Sequence, residues 1–139
     1  EDLKRLGIKT ENMNFAFLAY GREGNIQGMV GIQGSTRKDP YNEIFFSVLP
    51  AYRKKGLWFR MAESVLAFYK KEYGDQVLEA VVVPENTPSQ FLLQKLNFRP
   101  LLDAWGKVKT HLFKKWGNRI YQIYRYTPSS QKESSLKVA

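Results

Sequence analysis

Residues 48 to 58 read Val48-Leu49-Pro50-Ala51-Tyr52-Arg53-Lys54-Lys55-Gly56-Leu57-Trp58, and their order decides the fold. An apolar strand ends at a proline. A basic, glycine-containing turn follows, and a helix-like run begins at once. That order predicts free backbone N–H groups, the positive end of a helix dipole and three cations in one small place. Such a place suits a phosphate or pyrophosphate. A chain built around it is expected to handle a phosphorylated cofactor.

Working outward, a helix is predicted from Leu57 to Tyr73. Trp58, Met61, Ala62, Val65, Leu66 and Tyr69 recur at helical spacing, and Lys70, Lys71 and Gly74 suit its C-terminus. Upstream, Asn14 to Tyr20 and Ile26 to Gln33 flank the turn cluster Gly21 to Asn25 and predict a hairpin. A loop is expected over Gly34 to Tyr41. Glu43 to Leu49 predicts a third strand, apolar on both faces near its centre and so interior to the sheet. Downstream, Gln76 to Val83 predicts a strand that stops at Pro84. A second helix is expected to open with Thr87 as N-cap, Pro88 at the first helical position and Gln90 completing a capping box. It closes at Asn97, a residue that tolerates left-handed backbone. Phe98 to Phe113 and Asn118 to Tyr126 predict two final strands. The order is β-β-β-α-β-α-β-β. The strand–helix–strand crossover at its centre makes its two strands parallel neighbours or near neighbours.

The 139 residues, 43% hydrophobic and 14% aromatic, fit one domain with one core, expected over 1–127, and a polar, loose tail at 128–139. There is no cysteine, hence no disulfide frame and no thiolate chemistry, and a cytoplasmic setting is expected. No apolar run is long enough to span a bilayer, and no secretory signal is seen. The chain begins with Glu1 rather than Met, as a fragment or trimmed chain would. The net charge of +9, from 22 Lys+Arg against 13 Asp+Glu, favours polyanionic partners: nucleic acid, phosphorylated cofactors or acidic lipid.

Three local motifs then carry a resemblance. Arg53-Lys54-Lys55-Gly56-Leu57-Trp58, preceded by a strand ending Val-x-Pro, resembles the Q/R-x-x-G-x-G/A pyrophosphate turn of the GNAT superfamily of acyl-CoA N-acyltransferases. Asn86-Thr87-Pro88-Ser89 resembles that family's N-x-x-A/S helix opening. Leu96-Asn97-Phe98 resembles the Leu-Gly-Phe that closes the same helix. The resemblance covers about Asn14 to Tyr126. It implies a mixed α/β fold, with a largely antiparallel sheet, a central splayed pair of parallel strands and flanking helices. It also implies acetyl-CoA as cofactor. The pantetheine arm would pair with the backbone at Phe46 and Val48 and near Val82. The pyrophosphate would be held by the N–H groups of Lys54, Lys55, Gly56, Leu57 and Trp58 and by the charges of Arg53 and Lys55. Asn86 would lie near the end of the arm. Three positions depart from the pattern. Trp58 stands where the family has Gly or Ala, so the indole either turns into the core or crowds the site. Leu93 stands where many members carry a tyrosine general acid. Only about a dozen residues precede the first hairpin strand, where members usually have a strand and two helices.

Transfer of an acyl group to an amine needs a base, commonly a carboxylate. Glu43 is the first candidate: it opens the strand beside the presumed thioester, and Glu43-Ile44-Phe45-Phe46 resembles the base-bearing strand of histone-type members. The alternative is a strand opening that faces solvent. Glu79 lies mid-strand, where a carboxylate is costly unless paired or functional. Its alternative is an edge-facing charge on a half-solvated strand. Ser89 is a candidate for orienting substrate, against a simple capping role. His111 is the only histidine, so no histidine cluster holds a metal. Tyr121, Tyr124 and Tyr126 are expected to be core and sheet aromatics. Lys107-Val108-Lys109 and Lys114-Lys115-Trp116 make a basic, aromatic hairpin able to track a phosphate backbone. The expected activity is N-acetyl transfer to a primary amine by direct attack in a ternary complex. The alternative is a catalytically weak module of the same fold that binds or modifies nucleic acid.

Overall fold

Three strands read in register explain where the first core forms. Phe15, Ile32 and Ile44 lie side by side across β2 (Phe15–Tyr20), β3 (Ile26–Gln33) and β4 (Asn42–Val48). Phe17, Val30 and Phe46 form the next row, and Ala19, Gly28 and Val48 the third. Strand side chains alternate between faces, so all nine positions share one face. The helix α1 (Leu57–Tyr73) lies on it. Its Phe68 ring packs edge-on against Phe15 and Phe17, with centroids 5.4 and 5.0 Å apart, and Tyr69 and Tyr73 stack along Phe15. Each such buried aromatic or aliphatic side chain contributes roughly 1.5–3 kcal/mol relative to exposure. Gly31 lies on the opposite face, where a Cβ would overlap the Phe15 carbonyl oxygen and the Phe45 ring. The strand is thus flat enough there for Phe45 to cover it.

The computed structural model describes residues 3–6, 15–34, 40–114 and 117–128. Asn14, most of the loop expected over 34–41, Lys115, Trp116 and all of the tail beyond Pro128 lie outside the described residues. The chain divides into two compact units, residues 1–75 and 76–139. In the first, β1 (Leu3–Leu6), β2, β3 and β4 pair in that order, every pair antiparallel. β1 was not expected: a four-residue run carries too little pattern, and it becomes a strand by pairing Leu3 to Leu6 with Ala19 to Ala16.

The second unit is organised around β8 (Arg119–Tyr126). β5 (Leu78–Val82) pairs with its residues 122–126. On the opposite edge, β6 (Phe98–Pro100) pairs with 124–126 and β7 (Thr110–Phe113) with 119–122. All three pairings are antiparallel. The helix α2 (Thr87–Lys95) precedes β6 and buries Leu93. Three expectations differ from the structure. The strand predicted over Phe98 to Phe113 is two short strands, because the chain leaves the sheet after Pro100 and returns at Thr110. The N-cap of α2 is Asn86 rather than Thr87: the Asn86 Oδ1 accepts the Ser89 N–H at 3.3 Å, while Thr87 is already helical and turns its hydroxyl to the Glu85 carbonyl. Gln90 reaches the Pro84 carbonyl instead of closing a capping box. Asn97 takes φ 68°, the left-handed closure expected of it. Among the described residues no helix is long and apolar enough to cross a membrane.

Candidate active site

The turn between β4 and α1 is built as its residues require. Pro50 to Tyr52 form one turn of 3-10 helix, with proline supplying the fixed φ of a first helical position. The Tyr52 hydroxyl accepts from Asn25 Nδ2, tying this turn to the β2–β3 connection. Arg53 folds back so that its Nε–H donates to the Val48 carbonyl at 2.9 Å, which ties the loop to the end of β4. Lys54 and Gly56 both have left-handed backbone, at φ 65° and 74°. Gly56 is the N-cap of α1, and no side chain caps that end. No acidic residue lies in the first turn of the helix. The first-turn N–H groups of Leu57, Trp58 and Phe59 have no intrahelical acceptor, and the helix dipole adds about half a positive charge. Arg53, Lys54 and Lys55 are all exposed beside them. A Cβ placed on Gly56 would meet nothing within 4 Å, so the turn is open on that side.

The contrast with α2 is direct. There the Asn86 side chain occupies the helix N-terminus; at α1 no side chain does so.

Trp58 answers the question its identity raises. Its indole packs edge-to-face on Phe46, with centroids 4.1 Å apart and an interplanar angle of 73°, on the sheet face that α1 covers. Its Nε1 is buried without a hydrogen-bond partner. Leu57 is buried in the same interface. Phe46, Val48, Arg53, Lys54, Lys55, Gly56, Leu57 and Trp58 are therefore brought together at one end of β4.

Glu43 lies farther up β4, opposite Gln33 and on the face away from α1. It is 1% exposed, which overturns the alternative of a solvent-facing strand opening. The strand start is pinned beside it: Asn42 Nδ2 donates to the Tyr69 hydroxyl of α1 at 3.1 Å.

In the second unit, Asn86 and Ser89 form the cap of α2, and Val82 ends β5 opposite Gln122. Glu79 is 0% exposed, so the half-solvated alternative falls as well. Its Oε2 takes two charge-assisted hydrogen bonds from Arg125, from Nε at 2.9 Å and Nη2 at 2.7 Å. Sequence reasoning missed Arg125. Glu79 and Arg125 stand directly opposite in the β5–β8 register, so pairing the two strands on paper would have found it. Tyr124 is buried and its hydroxyl meets Gln90 of α2, while Tyr126 packs on Phe98, as core aromatics should. His111 packs edge-on against Phe113 in β7. Among the described residues no group of three or more His, Cys, Asp or Glu could hold a metal.

Comparison with known proteins follows this geometry. The model of the acetyltransferase (GNAT) domain matches residues 3–99. An uncharacterized, SPbeta prophage-derived N-acetyltransferase of Bacillus subtilis (strain 168) is 33% identical over 88 residues, covering 63% of this chain and 50% of its own length. The chain thus spans about half the length of that curated relative. Among solved structures, a ribosomal-protein-S5-alanine acetyltransferase from Vibrio fischeri superposes with a TM-score of 0.69 at 21% identity, over 84% of this chain and 63% of that one. An acetyltransferase of the GNAT family from Streptococcus pneumoniae does so with a TM-score of 0.64 at 18% identity, over 81% and 65%. At these identities the superpositions speak for the fold, a mixed α/β architecture with a largely antiparallel sheet. With residues 3–99 inside the domain model, the chain belongs to the GNAT family of acetyltransferases.

Proposed function

We propose that the chain is an N-acetyltransferase that moves an acetyl group from acetyl-CoA to a primary amine by direct attack in a ternary complex. The observation that carries this reading is the uncapped N-terminus of α1. It presents first-turn N–H groups, an open Gly56 and three exposed cations, with no carboxylate of its own in the first turn. These residues fit a pyrophosphate. The backbone from Lys54 to Trp58, with the charges of Arg53 and Lys55, would hold it. The backbone of Phe46 and Val48 would align the pantetheine arm. The indole of Trp58, turned onto Phe46, leaves the Gly56 side of the turn clear.

When bound, acetyl-CoA supplies the acyl group as a thioester. The remaining work belongs to this chain. Glu43, buried in β4, would take the proton from the acceptor ammonium, directly or through one water, so that the neutral amine attacks the thioester carbonyl; as the C–S bond breaks, the proton that the nitrogen sheds would go to the departing thiolate. Glu79 is engaged by two guanidinium N–H groups and acts as a positioning carboxylate that holds β5 to β8. Ser89, whose N–H is already bound by Asn86, offers its hydroxyl to orient the acceptor. With no cysteine in the chain, attack without a covalent enzyme intermediate is the simpler course. The basic composition favours an acceptor associated with a polyanion.

Calorimetric titration of the folded chain with acetyl-CoA tests the proposal, and absence of binding would sink it. Glu43→Gln is expected to lower turnover by roughly a hundredfold or more while leaving acetyl-CoA affinity unchanged. Retained turnover would remove Glu43 as the base.

A further inference from the structure

The edge strand opposite β5 is interrupted by a hairpin finger. The chain leaves after Pro100 and returns at Thr110. Both legs of the excursion are clamped on one residue of β8: the Leu101 N–H donates to the Ile123 carbonyl, and the Ile123 N–H donates to the Lys109 carbonyl. The Lys109 N–H donates to the Leu101 carbonyl, and Leu102 bridges Val108. At the tip the Asp103 N–H reaches the Lys107 carbonyl at 2.7 Å. The Asp103 carboxylate accepts the N–H groups of Trp105 and Lys107 at 2.8 and 2.9 Å. The finger is thus internally satisfied and stiff, yet it carries Trp105 at 84% exposure and Leu102 exposed beside it. An ordered loop that holds an indole in water gains nothing for the fold from that indole, whereas Trp is the residue most enriched in interface hot spots.

The surroundings state the chemistry of the partner. From residue 98 to 128 the sequence carries seven Lys or Arg and one acid, Asp103, whose Oδ1 is taken up by the tip itself. Lys107, Lys109, Lys114 and Arg119 are exposed. Leu112 of β7 and Ile120 of β8 face each other across the strands and are exposed too. Among the described residues, one indole and several aliphatic side chains within a cationic setting match an acidic polypeptide that brings apolar side chains of its own. Unspecific single-strand binding would call for successive aromatic platforms along a groove, and the exposed apolar side chains described beside Trp105 are aliphatic.

We propose that the finger at 101–109, with the adjoining strands β7 and β8, is a docking surface for an acidic, apolar-containing polypeptide segment. This assignment stands apart from the acyl-transfer reading. The test titrates the full chain with a random copolymer of glutamate and tyrosine, using anisotropy as readout, with phosphatidylserine vesicles and oligo-dT as competing probes. The copolymer is expected to bind best, with salt-sensitive affinity. Trp105→Ala and the double change Lys107→Glu with Lys109→Glu should each weaken it by about tenfold or more, with the thermal midpoint unchanged. Asp103→Ala, which loosens the tip but keeps the indole and the lysines, should weaken it less. No binding of the copolymer, full binding by Trp105→Ala, or tighter binding to vesicles or oligo-dT would each overturn the proposal.

Discussion

The turn at Arg53 to Trp58 and the finger at Leu101 to Lys109 are built from the same materials and do opposite things. Both are basic. Both contain a glycine in left-handed conformation, Gly56 at φ 74° and Gly106 at φ 78°, and neither glycine has a neighbour that a Cβ would touch. Both carry a tryptophan. In the finger, Asp103 satisfies the loop N–H groups itself and turns Trp105 outward. In the turn, no carboxylate occupies the helix start, and Trp58 is folded onto Phe46. One loop leaves its donors uncapped and folds its indole onto the sheet; the other consumes its donors and displays its indole.

The largest effect that would break this contrast concerns the two indoles. Trp58→Ala removes the contact with Phe46 and is expected to cost about 2–3 kcal/mol, below the range for a fully buried aromatic because the ring is only half-buried. Trp105→Ala should stay within about 0.5 kcal/mol. Urea denaturation of both variants checks this, and equal losses would mean that the finger is part of the core.

The glycines come next. Gly56→Ala and Gly106→Ala each force an alanine into left-handed backbone, at roughly 1–2 kcal/mol. Only Gly56→Ala should also weaken acetyl-CoA binding. Loss of affinity in both variants would erase the distinction between receptor and display loop.

Asp103→Ala should cost about 1 kcal/mol, since two backbone donors lose a charged acceptor at an exposed site. Amide exchange at Trp105 and Lys107, read by NMR, should speed up while α1 and β4 stay protected. Last, Arg53→Lys removes the Nε–H bond to Val48 but keeps the charge. A stability loss of about 0.5–1 kcal/mol is expected, with a several-fold drop in acetyl-CoA affinity. An unchanged affinity would show that Arg53 serves only to close the loop.

The turn was legible because everything that makes it is local. Leu57 to Tyr73 could be bounded from apolar spacing, from Gly56 before it and from Gly74 after it, and the helix has those bounds. Asn97 was likewise readable as a left-handed closure. The cap at Asn86 was misplaced by one residue, because Asn86 and Thr87 are both good caps and only geometry chooses between them. The finger was missed although its signals are local: Pro100 and the Asp103 to Gly106 stretch are strand breakers, while the grip of Ile123 on both Leu101 and Lys109 shows only in the structure. Glu79 was recognisable as a costly carboxylate, but its partner lies 46 residues away. The burial of Glu43 was equally out of reach, since strand alternation tells which face a side chain takes and not what covers that face.

The amino-acid sequence alone determined the strand–turn–helix at 48–73, its cationic character and the family it belongs to, because hydrophobic period, proline, glycine and charge act over a few residues. The tertiary structure alone decided that Trp58 turns onto Phe46, that Arg125 neutralises Glu79, that Glu43 is buried and that Trp105 is held in solvent. Glu43, Glu79 and Arg125 depend on register between strands, and a one-residue slip there would send them to the other face; the two indoles depend on how the helix α1 and the finger are held against their strands.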